Sequence, residues 1–177
     1  MKRKLKMSKY LILTFLLFLS ASCNSNKTNE AGKYKALAER FFREEYGINP
    51  SVVNVLAAED IVVSYPSYKR LFGASNIRGL EAVTNLSTGF CSRWKETQVI
   101  FHESIAEGNS VTLVWSFKGR NVGSALPDIK PTNEIESWGG ITVYRFNKEG
   151  KVQTEYGLES EPGPIERMQI DDSSENI

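Results

Sequence analysis

The sequence predicts an α+β fold in a single domain, with helices early in the chain and a sheet late. Three observations support this prediction. Apolar residues recur at helical spacing early in the chain, two long hairpins with short polar turns occupy its second half, and one strand and one helix lie between them. Helices followed by a run of antiparallel strands are typical of a sheet that packs against helices on one face.

The first predicted helix starts near Tyr34 and ends at Gly47. Charged residues occupy most of the helix face that points away from the apolar one, and the charged run from Arg40 to Glu45 is interpreted as solvated helix surface. The apolar face, which is expected to pack on the sheet, is formed by Tyr34, Leu37, Ala38, Phe41, Phe42 and Tyr46.

A second, short helix is expected to begin at Pro50, and a strand follows at Ile61–Tyr65. Pro66 breaks this strand because proline cannot donate to a strand ladder. Tyr68–Arg78 is predicted to be a loop. Gly79 then leads into a third helix, whose apolar face is formed by Leu80, Val83, Leu86 and Phe90.

Four strands in two hairpins complete the predicted sheet. Thr97–Ile105 and Val111–Lys118 flank an Ala-Glu-Gly-Asn turn, and Glu134–Phe146 and Lys151–Leu158 flank an Asn-Lys-Glu-Gly turn. Gly119–Asn133 connects the hairpins and is longer than most hairpin links. Loops of this length often form lids or binding loops.

The first 22 residues are typical of a signal peptide. Five basic residues precede an apolar run at Leu11–Leu19, which is shorter than the ~20 residues that span a bilayer. Small residues before Cys23 resemble a bacterial lipobox, in which the Cys is diacylated, although Ser20 stands where that motif usually has Leu. Ordinary secretory cleavage is the alternative. The predicted organisation is a signal peptide (1–22), a lipidated Cys and flexible tether (23–33), one domain (34–170) and a disordered tail (171–177).

Charge and composition exclude several classes of function. Removing residues 1–22 takes away five of the 22 basic residues and none of the 21 acidic residues, which leaves a net charge of −4. An acidic domain argues against nucleic acid as a partner, which would require a basic stripe. After lipidation the chain keeps one His and one thiol, Cys91, so we expect no metal site. No phosphate-binding or dinucleotide-binding motif is present, so we expect no cofactor.

Five stretches of the chain, taken in order, resemble the SnoaL-like branch of the nuclear transport factor 2-like superfamily. The resemblance implies a cone-shaped α+β fold, with a curved antiparallel sheet packed on about three N-terminal helices and an apolar pocket between them. Members include polyketide cyclases, isomerase-like and hydrolase-like enzymes, and domains without known activity. The stretches are NPSVVNVLAAEDIVVSYP (49–66), IRGLEAV (77–83), IAEGNSVTLVWSFKG (105–119), GGITVYRF (139–146) and GKVQTEY (150–156).

The resemblance also implies a catalytic carboxylic acid on the last strand, four residues after a Trp. In this chain Tyr156 takes the place of that Trp, and Ser160 stands where the acid is expected. Glu159 and Glu161 flank Ser160, and strand alternation points both to the face opposite it. A bulge at Gly157 would rotate one of them inward. The candidate acid–base groups are therefore Glu155, Glu159, Glu161 and His102.

Aromatic and polar residues near the expected pocket mouth are candidate ligand contacts. Gly139 and Gly140 inside a strand indicate a close approach or a bend beside Trp138. Under strand alternation Glu136 shares a face with Trp138. The simpler interpretation makes Trp115 a core residue, within the alternating apolar stripe Val111-Leu113-Trp115-Phe117, and makes the strand glutamates solvated. The candidates are Tyr65, Tyr68, Trp115, Glu136, Trp138, Tyr156 and Ser160.

Three functions remain open at this point. The first is a domain lipid-anchored in the bacterial cell envelope, or secreted to the periplasm, that binds a small hydrophobic molecule without a complete catalytic site. The second is an acid–base enzyme, either cyclase-like or isomerase-like, that uses a displaced Glu. The third is a structural homodimer module, in which side chains would fill the pocket.

Overall fold

The computed structural model describes residues 30–126 and 129–160. The predicted leader and tail therefore lie outside the described residues, as do Cys23 and Glu161. Helix α1 covers 30–43 and continues into a π-helical turn at Glu44–Ile48. The helices that follow are α2 (Val52–Leu56), α3 (Pro66–Phe72) and α4 (Leu80–Arg93).

The strands alternate with these helices at first and then follow one another. A single six-stranded sheet has the order β2-β1-β6-β5-β4-β3. Its members are β1 (Ala57–Ser64), β2 (Asn76–Arg78), β3 (Trp94–Glu107), β4 (Ser110–Asn121), β5 (Ile135–Phe146) and β6 (Val152–Glu159).

The predicted α+β fold is confirmed, and the pairing pattern adds one feature to it. The sheet is mixed rather than wholly antiparallel, because β1 pairs parallel with β6. The register shifts between Ala57 and Val62 in this pair, and the β3–β4 and β5–β6 pairs carry similar irregularities. Such bulges increase strand twist and bend the sheet over the helices.

The core lies between the inner face of the sheet and the helices. On β4 the alternating residues Val111, Leu113, Trp115 and Phe117 are all buried, as the sequence predicts. Helix α1 packs on this stripe, with the ring of Phe42 centred 4.8 Å from that of Trp115. Burial of this apolar stripe determines which face of each neighbouring strand points inward.

The prediction of a loop at Tyr68–Arg78 is wrong. Pro66 opens helix α3 because its fixed φ suits the first helical turn, where its missing N–H costs no hydrogen bond. Gly73, with a φ of 74°, ends the helix in the left-handed conformation that glycine adopts readily. Strand β2 then pairs with β1. Helix α3 thereby carries Tyr68 into the core, where it is buried.

Within the described residues, no helix is both long enough and apolar enough to cross a membrane.

Candidate functional site

A cavity of about 60 Å³ opens between the inner face of the sheet and helices α1, α3 and α4. Its walls are mostly aromatic, and only a few polar groups reach it. The aromatic lining residues are Phe42, Tyr46, Tyr65, Tyr68, Phe90, Trp115, Phe117 and Trp138, and the others are Ser67, Arg93, Ala125 and Glu159. Four of the predicted ligand contacts, Tyr65, Tyr68, Trp115 and Trp138, therefore line this cavity. Ala125 comes from the long connection between β4 and β5.

Two glycines let aromatic rings lie directly on the sheet. A Cβ atom added at Gly140 would lie 2.5 Å from a ring atom of Trp115, so the close approach predicted for the paired glycines is present. A Cβ atom at Gly157 would overlap the ring of Tyr65. The ring of Tyr65 thus packs directly against β6 at Gly157, and its hydroxyl group reaches Oε1 of Glu155 at 2.7 Å.

The residues of strand β6 that face the inside of the sheet are not the ones expected from the sequence. Glu155, Gly157 and Glu159 are cross-strand partners of Tyr144, Thr142 and Gly140. Because Tyr144 and Thr142 are fully buried, their partners on β6 also face inward. Glu159 therefore points into the cavity without the bulge at Gly157 that the sequence analysis invoked.

Tyr156 and Ser160 consequently lie on the outer face of the sheet, and the structure does not bring them to the cavity. Tyr156 is 52% exposed. The Ser160 hydroxyl accepts a hydrogen bond from the Gly139 N–H at 3.1 Å, and the Ser160 N–H donates to the Gly139 carbonyl at 2.7 Å. The residue that stands at the expected acid position thus extends the strand ladder.

Glu155 lies at the inner end of the site and is fully buried. Its Oε1 accepts hydrogen bonds from the hydroxyl groups of Tyr46 and Tyr65, each at 2.7 Å. The Tyr65 hydroxyl is also 3.0 Å from Oγ1 of Thr142, which accepts a hydrogen bond from Nε1 of Trp115 at 2.9 Å. This candidate acid is thus the centre of a hydrogen-bond network behind the cavity wall.

Glu45 is a second fully buried acid, and the sequence analysis missed it. The interpretation of the run Arg40–Glu45 as solvated surface is wrong at this residue. The π-helical turn adds a residue to the last turn of the helix, so that Glu45 and Tyr46 both face inward although they are adjacent. A signal was present, because Glu45 follows Phe41 by four positions and so continues the apolar stripe of the helix.

The two buried acids interact with each other. Burial raises the pKa of Glu45 well above its ordinary value, and the negative charge of Glu155 raises it further. Burial also raises the pKa of Glu155, but hydrogen bonds from Glu45, Tyr46 and Tyr65 oppose that shift. The carboxyl group of Glu45 therefore holds a proton more firmly than that of Glu155 does. On its other side, Oε1 of Glu45 accepts a hydrogen bond from the Ser87 hydroxyl at 2.9 Å.

Glu159 is the carboxyl group that lines the cavity itself. The Ser67 hydroxyl donates to its Oε2 at 3.0 Å. Burial raises the pKa of Glu159, whereas Ser67 and the indole of Trp138 lower it. Nε1 of Trp138 has no hydrogen-bond partner of ordinary geometry among the described residues. The arrangement provides a proton acceptor, an indole N–H donor and the Arg93 guanidinium in one apolar cavity.

The remaining candidates lie away from the cavity. Glu136 shares the inner face with Trp138, as predicted, but accepts a hydrogen bond from Thr132 near the start of β5. His102 is exposed, and its Nε2 is 3.0 Å from the Ser116 hydroxyl. Cys91 is partly buried, and its thiol donates to the backbone carbonyl of Glu45 at 3.2 Å.

Comparisons with known proteins agree with this architecture. The family model described as "SnoaL-like domain" matches residues 38–154. No curated protein matches the chain. Three solved structures show the likeness of fold. AclR from Streptomyces galilaeus has a TM-score of 0.62 at 18% identity, and the match covers 78% of this chain and 86% of that one.

The second structure is SalBIII, an epoxide hydrolase/cyclase-like enzyme in pyran ring formation in the polyether salinomycin. It has a TM-score of 0.56 at 15% identity, with 73% and 92% of the two chains covered. The third is a hypothetical protein with a ketosteroid isomerase-like fold from Catenulispora acidiphila, in complex with trimethylamine. Its TM-score is 0.53 at 16% identity, with 68% and 82% covered. At these identities the structures establish the fold alone.

Proposed function

Because the chain belongs to the SnoaL-like domain family, we propose that it binds a small hydrophobic molecule while tethered to the bacterial envelope. The observation that carries this proposal is the cavity, in which eight aromatic side chains surround about 60 Å³ of space. Aromatic walls with a few polar groups are typical of small-molecule sites. Pockets for drug-sized ligands measure roughly 300 Å³ or more, so a ligand that this cavity encloses is small.

The envelope location is proposed from the leader. The basic start, the apolar run and the small residues before Cys23 support export and lipidation of that cysteine. Each buried CH₂ of an acyl chain contributes ~0.8 kcal/mol to membrane binding, so a diacylated Cys23 would hold the domain at a membrane surface. The polar segment after Cys23 would then act as a tether.

Native mass spectrometry of protein purified from its host tests the binding proposal. We expect the folded domain to carry a small molecule that is released on unfolding. Ala125→Phe places a ring in the cavity and should abolish this adduct. The matched control is Ala74→Phe, which changes an exposed residue outside the cavity lining. Loss of the adduct in both variants, or in neither, would contradict binding in this cavity.

An acid–base enzyme is a second candidate, and the position of Glu159 favours it. A carboxyl group in an apolar cavity with a raised pKa is suited to accept a proton from carbon next to a carbonyl group. The Glu159 carboxylate would take this proton, and the resulting enolate would take a proton back from the carboxylic acid. Positioned general bases contribute typically 10²–10⁴-fold to rate.

Hydrogen–deuterium exchange at the α-carbon of cyclohexanone in D₂O, followed by NMR, tests this second candidate. The wild-type domain should accelerate the exchange, and Glu159→Gln should reduce the rate to that of the solution without protein. Glu136→Gln is the control, because Glu136 lies outside the cavity lining on the same face of the sheet. Equal rates with and without wild-type protein would exclude this reaction for cyclohexanone.

We also propose a homodimer through the outer face of the sheet. Ile141 and Leu158 are cross-strand partners on this face, and they are 48% and 51% exposed. Val143 and Tyr156 form the next pair, which makes the apolar surface continuous. Leu158→Glu should shift the mass measured by light scattering from dimer to monomer. Val55→Glu, which changes an equally exposed residue on α2, should leave the mass unchanged, and a monomeric wild-type domain would refute the dimer.

A further inference from the structure

The network around Glu155 determines which hydrogen-bonding group the cavity presents to a ligand. We propose that Glu155 makes the tyrosine end of the cavity a hydrogen-bond acceptor, so that the ligand is a small alcohol, phenol or amine. This inference rests on the proposed binding function and names the chemical class of its ligand. It assigns to Glu155 the role of a specificity-determining residue that does not touch the ligand itself.

The first step concerns the direction of two hydroxyl protons. An ionised carboxylate has no proton to donate, so each group at hydrogen-bond distance from it must be the donor. The hydroxyl groups of Tyr46 and Tyr65 both lie 2.7 Å from Oε1 of Glu155. This separation is typical of a hydroxyl group that donates to a charged oxygen. Both tyrosines have therefore committed their only hydroxyl proton to Glu155.

The second step extends this direction outward from Glu155. The hydroxyl oxygens of Tyr46 and Tyr68 are 3.4 Å apart, and because Tyr46 donates to Glu155, Tyr68 must be the donor in this contact. By the same reasoning Thr142 donates to the Tyr65 oxygen, while it accepts from Trp115. Every hydroxyl proton of the network thus points toward Glu155.

The third step is the charge on Glu155, which would be costly in a buried site without compensation. Glu45 supplies part of the compensation, because the pKa values of the two buried carboxyl groups depend on each other. Oε2 of each has no hydrogen-bond partner among the residues that the structure describes, and we assign one shared proton to the pair. With that proton held on the Glu45 side, Glu155 keeps its charge for the tyrosines.

The consequence concerns Tyr68, the cavity-lining hydroxyl group farthest along the network from Glu155. Its proton is directed to Tyr46, so its oxygen offers the cavity lone pairs only. A ligand hydroxyl or N–H group would donate to this oxygen. A ligand carbonyl would place its own lone pairs against those of Tyr68, which provides no hydrogen bond. The network thus selects ligands that carry a donor.

Cyclohexanol and cyclohexanone test this selection, because the two rings differ only in the donor. Their dissociation constants are measured by NMR titration of the isotope-labelled domain. We expect the wild-type protein to bind the alcohol about fivefold more tightly, which is the effect of one ordinary hydrogen bond. Tyr68→Phe removes the acceptor and should bring the ratio of the two constants close to one, with little change in ketone binding.

Glu155→Gln is the second variant, because the amide NH₂ of Gln would donate to one tyrosine and free its proton for the ligand. The alcohol preference should fall and ketone binding should tighten. Equal or tighter binding of the ketone by the wild type, or an unchanged alcohol preference in Tyr68→Phe, would overturn the inference and leave the binding proposal intact. Binding of neither ring would overturn both.

Discussion

Replacing Glu45 with glutamine should remove much of the pH dependence of the stability of this domain. The glutamine side chain has the shape of protonated Glu45, so its amide would donate to Glu155 and its carbonyl would accept from Ser87. It cannot lose a proton, however. The Glu45→Gln variant therefore isolates the titration of Glu45 from its packing and its hydrogen bonds.

The sign of the effect follows from the direction of the pKa shift. Burial and the adjacent charge of Glu155 raise the pKa of Glu45 well above the ordinary value of 4.5, and Cys91 adds a smaller effect in the same direction. The folded state therefore holds this proton at pH values where the unfolded state has lost it. The stabilisation is complete below pH 4.5 and is lost as the pH rises toward the folded pKa.

The magnitude follows from the single proton involved. Within this window the free energy of unfolding should fall by about 1.4 kcal/mol per pH unit for each such group. The wild type carries further contributions from Glu155 and Glu159, because burial raises both of their pKa values. The informative quantity is therefore the difference in slope between the wild type and Glu45→Gln, which should approach the effect of one proton.

Urea unfolding, followed by tryptophan fluorescence at a series of pH values from 5 to 8, measures both slopes. The matched control is Glu44→Gln, the adjacent acid, whose exposed pair with Arg40 lowers its pKa instead. This control should keep the wild-type slope in the same range, because exposed pairs contribute little to stability. A Glu45→Gln variant with the wild-type slope would refute the shared proton.

Two further predictions follow from the geometry. Gly157→Ala should lower the free energy of unfolding by about 1–3 kcal/mol, the usual cost of overpacking, because the new methyl group would overlap the ring of Tyr65. Urea unfolding measures this loss. The control Gly32→Ala, with open space around the added methyl group, should not destabilise the domain. Cys23→Ala should move the protein from the membrane fraction to the soluble fraction of its host, and unchanged partitioning would exclude a lipid anchor at Cys23.

Sequence patterns were sufficient to predict the β5–β6 hairpin and the buried stripe on β4. On β4, local periodicity and tertiary burial agree, so the apolar alternation specifies the inner face. Helix α3 was missed because its seven residues form less than two full turns, too few for periodicity to stand out against the loop signals of Pro66 and Gly73. The parallel pairing of β1 with β6 joins segments about 90 residues apart, and no local pattern encodes that contact.

The site was harder to predict, because its acids do not follow the rule that charges are exposed. Glu45 occupies a position that its apolar neighbours assign to the core, so helical periodicity was the better guide to its burial. On β6 the same guide points the wrong way, because Tyr156 and Leu158 are exposed while Glu155 and Gly157 between and before them are buried. Alignment of Ser160 with the family's acid suggested the opposite phase, since a correspondence of position carries no information on which neighbours are buried.

The network also limits how the enzyme candidate could work. An enolate formed by Glu159 would need hydrogen-bond donors at its oxygen, but the tyrosine protons are directed to Glu155. Among the described lining residues, the donors outside that network are Nε1 of Trp138, the guanidinium of Arg93 and the Ser67 hydroxyl, which donates to Glu159. A ketone and an alcohol could both accept a hydrogen bond from Trp138 or Arg93, but only the alcohol could in addition donate to Tyr68. The charge on Glu155, which directs the Tyr68 proton inward, would therefore set the difference in affinity between the two.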